Sequence, residues 1–230
     1  MAKKINGIDV EKLKAMKDMA IAAKAEAPKK VPAKGEPKLC IAIAGLETRK
    51  TKQGRIKHCW TFYNNCMTWV KDLKGNHVRI VDARDFVEDP HPIRSIMSHL
   101  GGICFDHGPI DKLMISSHSD WEGLYIISKS RTNLPEPDRY ILPYTKWDGI
   151  EFSPDAAICL QGCQTAGQRG NKMKECICQD LADNTDVLVY GYACKAAQKL
   201  RNGGYYPVPD IGGLIEFKPR VYIPMTSASG

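Results

Sequence analysis

From residue 39 onward, short apolar runs alternate with longer segments whose apolar residues recur every third or fourth position. LCIAIAG (39–45) is an unbroken apolar run of the kind that forms a strand buried on both faces. Residues 58–73 carry Trp60, Tyr63, Met67 and Val70 at helical spacing and stop at Gly75, which predicts a helix. HVRIVDA (77–83) reads as a second strand, and HPIRSIMSHL (91–100) as a second helix closed by Gly101 and Gly102. KLMISSH (112–118) is a third strand, followed by a short added one, GLYIIS (123–128). AAICLQG (156–162) and DVLVYGYA (186–193) are the fourth and fifth strands, with a helix over KMKECICQDLADN (172–184) between them. Two last β segments, GLIEF (213–217) and RVYIP (220–224), suggest a hairpin. Ahead of all this, residues 9–25 repeat Leu13, Met16, Ala20 and Ala23 behind Asp9, a helix with its N-cap. Residues 26–38 hold three prolines and no apolar period, as a linker does.

Alternating strand and helix periods predict an α/β fold: a mainly parallel central sheet, helices on both faces, and a small β addition at the C-terminus. The expected division is an N-terminal helix and linker over 1–38 and one domain over 39–230. In such sheets the functional crevice lies outside the carboxyl ends of the strands. Two strands end there on reactive side chains, His118 in SSHSDWEG (116–123) and Cys163 in LQGCQTAG (160–167).

Composition narrows the classes. The 230 residues are 43% hydrophobic and 26% charged, ordinary for a globular protein. No run approaches the roughly 18 apolar residues of a membrane span, and the first residues lack a secretory pattern, so a cytoplasmic protein with no membrane partner is expected. The net charge of +7 is uneven: residues 1–38 hold ten lysines against five acids, leaving +2 for the rest. Any nucleic-acid contact is therefore expected only through the basic N-terminal arm. Nine cysteines at irregular spacing do not read as a disulfide framework. Cys40, Cys159 and Cys194 sit within apolar runs as small buried hydrophobes. Cys159, Cys163, Cys176 and Cys178 share one segment, but their spacing lacks the paired turns of a zinc knuckle. No metal and no cofactor are expected.

A thiol attacks as its thiolate, and a neighbouring imidazole is the usual means of forming it and of protonating the leaving group. Backbone N–H groups at strand-to-loop turns hold the oxyanion of acyl transfer. If GCQTAG runs into a helix, the helix dipole would also favour a thiolate at Cys163.

MISSHSDWEG resembles the histidine strand and turn of caspase-like (clan CD) cysteine peptidases, and ICLQGCQTAGQRG their cysteine strand. The second stretch is most similar to the Cys-Gln-Thr-Ala segment of CHAT domains. The cysteine follows the histidine by 45 positions, in line with the spacing of about 50 in the caspase signature. The resemblance spans about residues 39–195 and implies a cysteine endopeptidase acting on a protein or peptide substrate, with a regulatory protein partner conceivable. It implies His118 as general base and acid, Cys163 as nucleophile, and the backbone N–H groups of Ser119 and Cys163 as oxyanion donors. Gln161 falls where caspases line the pocket for the residue before the scissile bond. Arg49 would select an acidic side chain there, whereas Asp120 and Glu122 would select a basic one, and both choices stay open. Two positions depart from the family: Ser119 replaces its glycine, where a side chain would crowd substrate or alter the oxyanion geometry, and Gly162 replaces its alanine. Ser119 also favours a second reading, a catalytically inactive caspase-like domain serving as a protein-interaction module.

Overall fold

The computed structural model describes residues 4–5, 8–9, 37–50, 56–127, 134–167, 175–192, 198–199, 205–206 and 214–220. It divides into two compact units, Met1–Val31 and Pro32–Gly230. In the first, Lys4–Ile5 pairs antiparallel with Ile8–Asp9, and the helix expected beyond Asp9 lies outside the described residues.

In the second unit the chain runs through β1 (Leu39–Ala44), a hairpin of Glu47–Lys50 with Ile56–Cys59, α1 (Thr61–Lys71), β2 (His77–Asp82), α2 (Pro92–His107) and β3 (Ile110–Ser116). After a short excursion come β4 (Phe152–Gln161), α3 (Ile177–Thr185), β5 (Leu188–Tyr192) and β6 (Leu214–Phe217). These six strands form one sheet in the order β6-β5-β4-β3-β1-β2. Neighbours are parallel except β6, which runs antiparallel to β5. This is the α/β architecture that the alternation of periods predicts. The chain leaves β1 for β2 on one side and returns to β3 on the other, so the sheet has its switch point between β1 and β3.

The two faces of the sheet carry different cores. Ile41 and Ile43 of β1, Leu113 and Ile115 of β3, and Ile158 and Leu160 of β4 pack with Ile96 and Leu100 of α2 and Leu181 of α3. The opposite face presents Ala42, Ala44 and Met114 to Cys66 of α1. Small residues there allow the helix to lie close.

Several expected boundaries move. The helix read over 58–73 begins at Thr61, because Ile56–Cys59 instead pairs with Glu47–Lys50, a hairpin that its charged sequence conceals. Its buried residues are Phe62, Asn65 and Cys66, not the Trp60–Tyr63–Met67–Val70 stripe. Trp60 is 54% exposed and stacks on the Arg84 guanidinium at 3.5 Å. The second helix continues through Gly101 and Gly102 to His107, since Cys104 packs one turn further on, and Gly108 at φ 90° ends it. β4 starts at Phe152, with Pro154 accommodated at a register shift where the missing N–H is tolerated. The third strand stops at Ser116, and His118–Ser119 turns into a separate small sheet with Leu124–Tyr125 and Tyr140–Ile141. Leu214–Phe217 finds its partner in β5, whereas the proposed second arm beyond residue 220 lies outside the described residues.

Candidate active site

β3 and β4 pair in parallel with Gln161 opposite Ser116. Each chain then runs two residues further to its reactive side chain, through Ser117 to His118 and through Gly162 to Cys163. Both reactive side chains therefore lie two positions past paired strand ends. A direct bond ties the ends together, Ser119 Oγ donating to the Cys163 carbonyl at 2.9 Å.

That contact accounts for the serine at 119 and the glycine at 162 together. A Cβ at Gly162 would lie 1.9 Å from Ser119 Oγ and 2.8 Å from Ser119 Cβ. The side chain expected to crowd substrate packs instead against the strand end that carries the cysteine. The absence of a methyl at residue 162 and the hydroxymethyl at residue 119 fit each other.

The His118 imidazole is held from two directions. Phe62 of α1 meets it edge-on, with ring centres 5.0 Å apart and planes at 89°. Asn65, one turn along, donates from Nδ2 to Ser116 Oγ at 3.2 Å and fastens the helix to the end of β3. On the other side Glu47 Oε1 lies 3.7 Å from His118 Nε2, the carboxylate side chain 10% exposed and the imidazole 58%. Glu47 escaped the sequence reading. Its signal was a lone acid two residues after the glycine that closes β1, masked by the basic run behind it.

Cys163 is half-buried with a free thiol and opens a tight turn. Gln164 takes a left-handed φ of 56°, and the Gly167 N–H returns to the Gln164 carbonyl at 3.1 Å. Thr165 and Ala166 fasten the turn to β5: Thr165 Oγ1 accepts from the Tyr192 N–H, and the Ala166 N–H donates to the Tyr192 carbonyl, both at 3.0 Å. Residues 164–167 are not helical, and residues 168–174, where the chain after the cysteine turn is expected to enter a helix, lie outside the described residues. α3 begins only at Ile177, and the side chain at its N-terminus is Cys176.

The remaining predicted residues separate. Gln161 is half-buried beside the cysteine turn, and its amide oxygen is enclosed without a hydrogen-bond partner. Asp120 is committed to its own turn. Its Oδ1 accepts from the N–H groups of Glu122 at 2.9 Å and Gly123 at 3.1 Å, and its other oxygen takes the Tyr125 hydroxyl. Glu122 is exposed. Arg49 sits in the hairpin opposite Lys57, and its side chain lies outside the described residues.

Other thiols have different surroundings. Cys40 is buried in β1 and Cys66 in α1, and burial pushes the Cys66 thiol up to about 12. Cys159, half-buried in β4, is pushed by the same cause to about 11. Cys194 lies outside the described residues. Cys176 and Cys178 are buried together at the start of α3. A hydrogen bond from Cys178, aided by backbone N–H groups of Gln179 and Cys178, brings Cys176 down to about 7 against its burial, while Cys178 is driven up. Among the described residues, no three His, Cys, Asp or Glu side chains converge as metal ligands. No helix there is long and apolar enough to cross a membrane. A groove of about 510 Å³ between α2 and residues 137–148 carries neither cysteine nor histidine.

No family model and no curated protein matches the chain. Among solved structures it is similar to one described as "structure of pro-sf-caspase-1", at 14% sequence identity and a TM-score of 0.43, over 79% of this chain and 72% of that chain. At that distance the likeness carries no functional inference, which rests on the rim's own residues.

Proposed function

We propose that the protein is a caspase-like cysteine endopeptidase of the undivided, CHAT-like type, working in the cytoplasm on a protein or peptide substrate. The observation that supports this most is the register of β3 on β4, with Gln161 opposite Ser116 and the two strand ends joined by Ser119 and Cys163. His118 takes the proton of the Cys163 thiol, and the thiolate adds to the scissile carbonyl carbon. The backbone N–H groups of Ser119 and Cys163 receive the oxyanion. The C–N bond breaks as His118 returns the proton to the leaving amine, leaving a thioester on Cys163. Water, losing a proton to His118, then releases the carboxylic acid and restores the thiol. Gln161, with its enclosed unpartnered oxygen, is the residue nearest in sequence to line the pocket for the side chain before the scissile bond.

The test is reaction with iodoacetamide across pH, read at each cysteine by mass spectrometry, together with cleavage of a broad peptide library. In wild type, Cys163 should react at distinctly lower pH than it does in His118→Ala. Cys66 and Cys159, with thiols near 12 and 11, should stay unmodified at pH 8 as internal controls. Cys163→Ala and His118→Ala should each lower turnover by about 10²–10⁴-fold while far-UV circular dichroism is unchanged. Coincident labelling curves with no cleaved peptide would favour the second reading, a non-catalytic interaction module.

A further inference from the structure

Glu47 has no role in a two-residue Cys-His mechanism, yet the fold takes care to bring it to the rim. The exit of β1 is pressed against the exit of β3: the Gly45 N–H donates to the Ser116 carbonyl at 2.8 Å, and the Leu46 N–H to the Ile126 carbonyl at 2.7 Å. A Cβ at Gly45 would lie 2.8 Å from Ser117 Cβ, so only glycine permits this approach. The next turn of chain is then fixed by the hairpin, where Glu47 pairs with Cys59. Across the switch point its nearly buried carboxylate meets Nε2 of His118 at 3.7 Å.

We infer that Glu47 is a positioning residue for His118, engaging Nε2 so that Nδ1 is the nitrogen that accepts the proton of Cys163. The two ring nitrogens lie on opposite edges of the imidazole, and a partner on one decides which is free to act as base. At 3.7 Å the contact is an ion-pair separation, longer than a hydrogen bond. Phe62, edge-on to the ring, limits its tilt. The proton moves from Sγ to Nδ1, and a carboxylate beside Nε2 favours the imidazolium so formed. Among described side chains, the titratable group found against His118 is Glu47 from the exit of β1, and the reading places Cys163 on the neighbouring strand end. α1 contributes only the neutral ring of Phe62, and the hydroxyl of Tyr125, opposite His118 in the small sheet, is bound to Asp120.

This role rests on the Cys-His reading, and one experiment separates the two. The pH profile of iodoacetamide labelling at Cys163 is measured in the full chain for wild type, His118→Ala, Glu47→Gln and Glu47→Asp, with thermal melting as a check on folding. Glu47→Gln should move the profile about one pH unit upward, as expected for loss of an opposite charge at this range, and so lower the labelling rate near neutral pH about tenfold. Glu47→Asp, which keeps the charge, should fall between Gln and wild type. A wild-type profile in Glu47→Gln, with the His118→Ala profile displaced, overturns the role of Glu47 and leaves the dyad standing. Equal profiles for Glu47→Asp and Glu47→Gln also overturn it, since the charge would then not be what acts. Coincident profiles for wild type and His118→Ala overturn the dyad and Glu47 with it.

Discussion

Ser119 and Gly162 show how a pair of residues takes its meaning from contact. Taken separately in the sequence, Ser119 reads as an obstacle and Gly162 as incidental. Together they are one packing unit, because the serine side chain stands where an alanine methyl would project from residue 162. Gly162→Ala should therefore destabilise the fold by about 1–3 kcal/mol, the range for overpacking a filled site. The hydroxyl can rotate away, but Ser119 Cβ at 2.8 Å cannot. Adding Ser119→Gly removes both Ser119 contacts, leaving the tight one to the Ser117 carbonyl at 3.1 Å, at the cost of the bond to the Cys163 carbonyl, about 0.5–1.5 kcal/mol. The double variant should thus be more stable than Gly162→Ala alone in urea denaturation. Simple addition of the two single costs would show that the side chains do not compete for one space.

At the scale of elements, α1 and α2 show where periodicity leads and where it misleads. Large aromatics dominate any reading of α1, yet the face that packs is the one with Phe62, Asn65 and Cys66, since the sheet opposite offers Ala42 and Ala44. Cys66 meets those small residues, Tyr63 and Trp69 pack at the margin of the cluster, and Trp60 alone of the expected stripe's aromatics is left outside, where Arg84 covers it. In α2 two glycines read as a stop, but burial of Cys104 one turn later outweighs their poor propensity. Gly102 is exposed, and a Cβ there meets nothing within 4 Å. Gly102→Ala should accordingly raise stability by about 0.5–1 kcal/mol, through the smaller backbone entropy lost on folding. An unchanged or lowered midpoint in chemical denaturation would mean that the helix does not continue through this position in solution.

For the whole molecule, the question is where the folded unit begins. The boundary expected from the proline-rich linker falls between residues 38 and 39, but Lys38 already takes part in the sheet unit. Its Nζ meets Asp111 Oδ1 at 2.8 Å, its N–H donates to Asn76 at 3.2 Å, and its carbonyl accepts from the His77 N–H at 3.0 Å. Asp111 is 5% exposed and its carboxylate is otherwise served by the Ser153 hydroxyl at 3.2 Å. Deleting residues 1–31 should leave the thermal midpoint of the remainder unchanged within a few degrees, whereas deleting 1–38 should lower it measurably. Equal midpoints for the two truncations would show that Lys38 adds nothing, and a large loss with the shorter deletion would show that the first unit supports the second.

Local pattern was enough to find the main strands, to alternate them with helices, and to put His118 and Cys163 at strand ends. Each of those depends on the order of apolar and polar residues within a few turns of chain. The fit of Ser119 to Gly162, the buried face of α1 and the approach of Glu47 to His118 were decided only in three dimensions. They arise where strands distant in sequence leave the sheet side by side, at separations set by register and by glycines that admit close contact, and periodicity within one segment records neither.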